Sequence, residues 1–233
     1  TSFVDIPFVW AILGLGLAMT LIALIGVLES LAFAAVLTIV EVTGLVMVIW
    51  AGFSAPPVDA WSLPLRPVEW SGGMGATVFA FFALIGFDTM VNMAEEACTP
   101  EITMPRSILW ALALTAVLYA LVSLAAVRAV PREVLGATER PLALVWEMGM
   151  GSSAVFLSAI AVAAALNGVL AQIVMASRVL YGLGKRSAVF VIFRNTHPRF
   201  GTPVLGTLLI GGMVIASALM LPVAILAELT TLA

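Results

Sequence analysis

The residues best placed to do chemistry lie in the apolar stretch FFALIGFDTMVNMAEE, residues 81–96. Gly86 has no side chain and lets the backbone leave the helical conformation, and Asp88 is a residue type that caps the start of a helix. This pair predicts one half-helix that ends near residues 84–85 and another that begins near Asp88. The first would present free carbonyl oxygens, which suit an ammonium group or a cation. The alternative is one continuous helix in which Asp88 faces other parts of the protein.

A second ionisable residue, Glu41, lies in the middle of another apolar stretch, VLTIVEVTGL. A carboxylate at membrane depth is costly unless it is paired, solvated or protonated. Two interpretations stay open for Glu41: a proton carrier or ion ligand, and a structural hydrogen-bond partner for a neighbouring helix. Asn167 and Gln172 could line a pore or form hydrogen bonds that join neighbouring helices. We favour the second interpretation. Arg178 is expected to extend its side chain to the membrane surface.

The amino-acid composition and the net charge exclude several classes of protein. Of the 233 residues, 10% are charged and 63% are hydrophobic, whereas a soluble domain carries about 25% charged residues. The net charge of −3 predicts no nucleic-acid partner. Cys98 and His197 are the only residues of their types in the chain, which excludes an internal disulfide and any site that needs several such ligands. We therefore expect no metal and no cofactor.

The elements that would position these residues are apolar helices. Runs of about 20 mostly apolar residues are typical of transmembrane helices, and we predict six of them, with the start of a seventh near residue 224. They cover residues 6–28, 31–52, 75–97, 107–127, 152–184 and 203–221. Polar breaks are expected at residues 26–30 and at the Pro-rich residues 57–70; residues 99–106 should break the helix twice, and residues 128–150 should be irregular. The chain is therefore predicted to be an all-α polytopic membrane protein.

The distribution of Lys and Arg predicts the orientation. The densest basic cluster follows residue 184 and consists of Lys185, Arg186, Arg194, His197 and Arg199. We place this loop in the cytoplasm, so that the first span runs from outside to inside. The chain begins without Met and stops as an apolar segment resumes. We therefore expect a fragment of a longer polytopic protein with both ends missing.

Several stretches of the chain resemble the amino acid–polyamine–organocation (APC) permeases. FFALIGFDTMVNMAEE with the following TPEITMPRSI is similar to the sixth helix and the next loop of that family. GVLES resembles the break between its fourth and fifth helices. MASRVLYGLGKR and HPRFGTPV resemble the end of its eighth helix and the loop into the ninth. The order and spacing of these stretches agree with the family over nearly the whole chain.

The resemblance implies a partial LeuT-type fold with two inverted repeats and alternating access. The chain would hold family helices 4 to 9 and the start of helix 10. Residues 1–54 would form the last two helices of the first repeat, residues 55–74 an extracellular or periplasmic loop, and residues 75–233 most of the second repeat. The missing N-terminal helices of the same chain would supply the other half of the binding site.

The resemblance also implies a substrate site at the break in the sixth family helix. Carbonyl groups of Phe82, Ala83 and Ile85 would bind the substrate amino group, beside Gly86, with Phe87 as an aromatic gate. Asp88 and Glu41 remain candidates for ion coupling or for a capping role. Many proton-coupled relatives have a Lys in the fifth helix, at or beside the position of Glu41. A carboxylate cannot replace that cation in the same way, which leaves the coupling ion open.

The implied function is secondary active transport of an amino acid or related amine, coupled to a proton or another ion. The alternatives are a sodium-coupled symporter of another LeuT-type family, a membrane-embedded enzyme and a non-transport membrane subunit. Only Glu41 and Asp88 are both ionisable and deep, which is too few for a convergent catalytic set, so we predict that the chain is not an enzyme. The expected partners are the substrate, a proton or sodium ion, and the lipid of a bacterial inner (plasma) membrane.

Overall fold

The computed structural model of the chain describes residues 8–58, 73–74, 77, 80, 84, 86, 90–91, 94 and 97–221. The main elements in these ranges are all helices. They are α1 (Phe8–Ile25), α2 (Val27–Ser54), α3 (Pro100–Ala129), α4 (Arg132–Ala137), α5 (Pro141–Met150), α6 (Val155–Arg186), a 3₁₀ helix (Ala188–Arg194) and α7 (Val204–Met220). The all-α prediction is thus confirmed over the described residues.

Three of the described helices are long and apolar enough to cross a membrane: α2 from Leu28 onwards, α3 and α6. Helices α1 and α7 are also apolar but shorter, with 18 and 17 residues. These five helices correspond to five of the six predicted spans. The remaining span, residues 75–97, is described only at separate positions, and the start of a seventh lies outside the described residues.

Helix α3 begins earlier than the sequence predicted, because neither proline of residues 99–106 breaks it. Pro100 lies at the first turn, where the missing N–H would have no helical partner in any case. Pro105 lies inside the helix, and its missing N–H deprives only the carbonyl of Glu101 of a helical donor. Glu101 is exposed, so that water can hydrogen-bond to its carbonyl.

The prediction of an irregular stretch at residues 128–150 is wrong, since α4 and α5 occupy most of it. Pro131 caps α4 and Pro141 opens α5, which are positions that proline tolerates. Helix α5 ends at Gly151, whose φ of 64° closes the helix with a hydrogen bond from its N–H to the carbonyl of Glu147. The prolines therefore start short helices here instead of excluding them.

The break between α1 and α2 is confined to Gly26, whereas the sequence predicted a polar break over residues 26–30. The Ser30 hydroxyl lies 2.9 Å from the carbonyl oxygen of Ile22 and 2.6 Å from that of Gly26. Thr202 donates its hydroxyl to the carbonyl of Leu24 at 3.1 Å. Hydroxyl groups therefore serve the carbonyls that the end of α1 leaves without helical partners, and α2 can start at once.

The chain divides into two compact units, of which one comprises Thr1–Thr38 and Ala164–Ala233. In this unit α1 packs against α7 through glycines. A Cβ atom on Gly16 would overlap the side chain of Ile215, and one on Gly211 would overlap that of Thr20. Small residues let helix backbones approach closely inside a membrane, so these glycines permit the α1–α7 contact.

The second unit, Ile39–Ala163, has a buried apolar core where the ends of α2 and α3 meet α5 and the start of α6. Its members are Val48, Ala55, Ala129, Val130, Val145, Ala154 and Leu157. Beside it, the rings of Trp146 and Phe156 meet edge to face, with centroids 4.8 Å apart. Helix α5 approaches α2 so closely that a Cβ atom on Gly149 would overlap the carbonyl of Ala51.

Candidate functional site

The backbone leaves the helical conformation at Gly86. Its φ is 111°, a region that glycine reaches readily and other residues avoid. Of the described positions from residue 73 to residue 86, Gly73, Met74, Thr77 and Ala80 are helical. Leu84 and Gly86 itself lie in turns. The helical departure predicted at Gly86 is therefore present at this residue.

The other residues predicted to bind substrate, Phe82, Ala83, Ile85 and Phe87, lie outside the described residues, as does Asp88. Their predicted roles stay predictions. The structure describes positions before and after these residues. Met90, Val91 and Ala94 adopt 3₁₀-helical conformation beyond Gly86, so the described positions after residue 86 return to a helical form.

Glu41 lies mid-way along α2 and is half-buried. Its position inside a helix long and apolar enough to cross a membrane agrees with the sequence prediction. Glu41 and Gly86 both belong to the unit Ile39–Ala163. Its role in ion coupling or in structure stays a prediction.

A polar contact that the sequence did not predict joins the end of α3 to the end of α2. Nη1 of Arg128 lies 2.9, 3.0 and 2.7 Å from the carbonyl oxygens of Gly52, Phe53 and Ala55. The guanidinium carbon also lies 5.8 Å from the centroid of the Phe53 ring. A positive group at this point satisfies orphan carbonyls and the negative end of the helix dipole together. Arg128 is therefore a cap for α2 supplied by another helix.

Asn167 joins two helices of the unit that contains Thr1–Thr38 and Ala164–Ala233, as the sequence analysis favoured. Its Nδ2 donates a hydrogen bond to the hydroxyl oxygen of Thr38 at 3.0 Å, which links α6 to α2. The Thr38 hydroxyl in turn donates to the carbonyl of Ala34 at 3.0 Å. Both polar groups thus find partners at a helix–helix contact, which is the usual arrangement inside a membrane.

The prediction that Arg178 extends to the membrane surface is wrong, because the side chain is only 8% exposed. Its guanidinium carbon lies 6.0 Å from the centroid of the Tyr181 ring. The start of α7 passes close by, since a Cβ atom on Gly206 would lie 3.3 Å from the carbonyl oxygen of Ser177. Helix α7 therefore approaches the turn of α6 that contains Arg178, and a sequence pattern for a single helix does not reveal such a neighbour.

The described residues also include potential metal ligands and reactive side chains. Within these ranges no three His, Cys, Asp or Glu side chains lie close enough to hold a metal ion. Cys98 is a free, exposed cysteine, and the ring of His197 stacks on that of Phe200 with centroids 4.9 Å apart. The polar features described above are backbone oxygens, the carboxylate of Glu41 within α2 and helix-joining hydrogen bonds.

Comparison with known families gives one match that covers almost the whole chain. Residues 4–233 match the family described as amino acid permease. The chain belongs to this family. The APC resemblance of the sequence is thereby confirmed, and the family is one of integral membrane transporters and not of enzymes.

Several curated proteins are similar to the chain at 26–29% identity. The methylthioribose transporter of Bacillus subtilis is 29% identical over 84% of the chain and 42% of its own length. The vacuolar cationic amino acid transporter 4 of Arabidopsis thaliana is 29% identical over 91% of the chain and 36% of its length. The branched-chain amino acid permease BcaP of Bacillus subtilis is 26% identical over 93% of the chain and 46% of its length. The chain thus spans less than half the length of each of these relatives.

Proposed function

We propose that the protein containing this chain is a secondary active transporter that moves an amino acid or a related amine across a membrane by alternating access. The observation that carries this proposal is the match of residues 4–233 to the amino acid permease family. The chain supplies family helices 4 to 9 and the start of helix 10 of a partial LeuT-type fold. Helices preceding this chain complete the substrate site.

The substrate amino group binds at the helix break around Gly86. Its φ of 111° supports this site, because carbonyl groups are released from helical hydrogen bonds wherever a helix is interrupted. The carbonyl groups of Phe82, Ala83 and Ile85 are the proposed ligands, and Phe87 is the proposed gate. Interrupted helices whose ends point at a charged substrate are typical of transporters of this class.

Coupling to a proton or another ion is assigned to Glu41 and Asp88. The position of Glu41 within α2 supports this assignment, since ionisable residues in membrane-spanning segments commonly mark ion or proton pathways. The competing proposal, a sodium-coupled symporter, uses the same carboxylates as ion ligands. A bacterial inner (plasma) membrane is the proposed location, supported by the two Bacillus subtilis relatives. The vacuolar relative from Arabidopsis makes cell fractionation the deciding experiment on location.

Counterflow in proteoliposomes tests the transport proposal. The full-length protein, preloaded with an unlabelled candidate, should accumulate the same labelled compound, and omission of sodium should leave the rate unchanged if a proton is the coupling ion. Cationic amino acids, branched-chain amino acids and methylthioribose form the candidate set, because the relatives described above are named as transporters of these compounds. Accumulation of methylthioribose alone would contradict the proposal that the substrate is an amino acid. Absence of counterflow for the whole amino acid series, in protein that is folded, would favour a non-transport membrane subunit.

A further inference from the structure

The segment between α6 and α7 combines exposed cations with exposed apolar side chains. We call residues 185–200 the basic–apolar segment. Arg186, Arg194 and Arg199 are exposed within it. The sequence contains no Asp or Glu between Glu147 and Glu228, so the positive charge of this segment has no acidic neighbour along the chain.

The apolar side chains of the segment face outwards although they lie outside the long helices. In the 3₁₀ helix Ala188–Arg194, Val189 is 81% exposed and Ile192 is 57% exposed. Phe200 is also exposed. Lipid tails explain exposed apolar residues along α3 or α6, but they do not explain them in a short basic connection between helices. A second apolar environment must therefore cover this segment, or the residues cost free energy in water.

The segment folds directly onto the end of α6, as the close approach at Gly184 shows. A Cβ atom on Gly184 would lie 2.8 Å from the carbonyl oxygen of Phe190 and 2.8 Å from the nitrogen of Arg194. Glycine at position 184 thus lets the 3₁₀ helix fold directly onto α6. Helix α6 has 32 residues, about 48 Å, whereas the hydrocarbon core is about 30 Å thick. One end of α6 must therefore extend past the hydrocarbon core, and we infer that it is the end with Lys185 and Arg186, because cationic side chains favour the headgroup region.

We propose that the basic–apolar segment binds the headgroups of anionic phospholipids in the adjacent leaflet. The guanidinium groups of Arg194 and Arg199 hold the phosphate oxygens, for which arginine is suited by its planar donors. Val189 and Ile192 enter the boundary between headgroups and acyl chains, where apolar side chains beside basic ones bind membranes. The ring of Phe200, whose centroid lies 5.6 Å from the guanidinium carbon of Arg199, positions that cation.

A lipid fits this segment better than a soluble anion does. Free phosphate would use the cations and leave Val189 and Ile192 in water. An anionic phospholipid satisfies both, since it supplies a negative headgroup and an apolar region within one molecule. The attraction of a basic side chain to an anionic leaflet corresponds to about a fivefold gain in affinity per residue.

The test uses the full-length protein in detergent, with a bimane fluorophore at Asn195→Cys in a background free of other cysteines, including Cys98→Ser. Titration with dihexanoyl phosphatidylglycerol should shift the emission to the blue with saturation. R194Q/R199Q should weaken this binding by about 25-fold, and V189S should weaken it by several-fold. R132Q/R140Q, which removes two other exposed arginines, and V134S, at another exposed valine, are the matched controls and should bind as the parent protein does.

Four results would overturn the proposal. Dihexanoyl phosphatidylcholine should bind more weakly than phosphatidylglycerol, and equal affinity would contradict a headgroup-charge site. Competition by inorganic phosphate at equal concentration would indicate a soluble-anion site. Equal weakening in R132Q/R140Q would indicate a general charge effect. Emission that is already blue-shifted without lipid, and insensitive to it, would show that another part of the protein covers the segment. Since the readout is lipid binding, each result is independent of whether the protein transports an amino acid.

Discussion

The backbone conformation of Gly86 is the structural feature on which the proposed substrate site depends. Its φ of 111° lies where any residue with a Cβ is strained, and the cost is roughly 1–3 kcal/mol. No heavy atom lies within 4 Å of a Cβ built on Gly86, among the atoms of the described structure. A substitution there therefore acts through the backbone and not through a clash, which makes Gly86 a specific test of the break.

We predict that Gly86→Leu lowers uptake at least about tenfold, because leucine favours the helical conformation that the break must avoid. Asp88→Asn should keep uptake within about threefold of the parent protein, because asparagine also caps helices. Initial rates of labelled substrate uptake in proteoliposomes measure both. Gly14→Leu, at an exposed glycine of α1 with open space around it, is the control and should be tolerated. Equal losses at positions 86 and 88 would argue against the capping role of Asp88.

Glu41 gives a second prediction at this scale. Glu41→Gln should alter the pH or sodium dependence of uptake more than the preference among substrates, because the amide cannot exchange a proton or carry the charge that an ion requires. Uptake rates at several pH values, with and without sodium, measure this dependence. An unchanged dependence on both ions would assign Glu41 a structural role within α2.

Individual residues differ in how far the sequence revealed them. The departure of Gly86 from the helix was predictable, because glycine two residues before a capping residue is a local signal. The contact of Arg128 with Gly52, Phe53 and Ala55 was not, because the partners lie more than 70 positions away. The burial of Arg178 was missed for the same reason, since it depends on packing and not on the pattern of one helix.

The cap on α2 is a charged contact between helices within the unit Ile39–Ala163. Hydrogen bonds from charged donors contribute roughly 1.5–3 kcal/mol, and one nitrogen of Arg128 serves three carbonyls. We predict that Arg128→Met lowers the melting temperature of the full-length protein by roughly 5 °C. Arg128→Lys should recover part of the loss, because an ammonium group still complements the helix end.

Thermal unfolding of the purified protein in detergent measures this effect. Arg132→Met is the matched control, because Arg132 is exposed at the start of α4, and its melting temperature should stay within about 1 °C of the parent value. If Arg128→Met and Arg132→Met were equally stable, the cap would contribute no net free energy.

The hydrogen bond between α2 and α6 gives a prediction about how these two helices stabilise each other. Asn167→Ala and Thr38→Val each remove one side of the hydrogen bond that joins these helices. In a double-mutant cycle the coupling free energy should be about 0.6 kcal/mol, which is typical of hydrogen bonds between membrane helices. The free energy of unfolding of the four variants measures it, and additive losses would show that the two side chains do not stabilise each other.

Helix boundaries show why the pattern of elements was only partly predictable. The apolar runs predicted α6 and α7 within a few residues, because their length and composition leave few alternatives. The helices α4 and α5 were missed, since Pro131, Pro141 and several charges indicated a loop. Those prolines stand at helix starts, and a sequence alone does not distinguish the first turn from a break.

At the scale of the whole molecule, the chain belongs to a transporter family yet spans 36–46% of the length of the relatives described above. In our proposal the site at Gly86 is one half of a binding site, and helices before this chain supply the other half. The inverted-repeat assignment of residues 1–54 and 75–233 rests on the resemblance alone.

The most direct test of the account is equilibrium binding of a labelled amino acid substrate to the purified full-length protein, with two competitors and two variants. If free carbonyls near Gly86 hold the substrate amino group, the unlabelled amino acid should displace the labelled one. The analogue without the amino group should bind at least about 100-fold more weakly, because the carbonyl oxygens of the site are then left without a hydrogen-bond donor. Gly86→Leu should lose binding while Gly14→Leu retains it. Equal displacement by the deaminated analogue, or unchanged affinity in Gly86→Leu, would contradict the account.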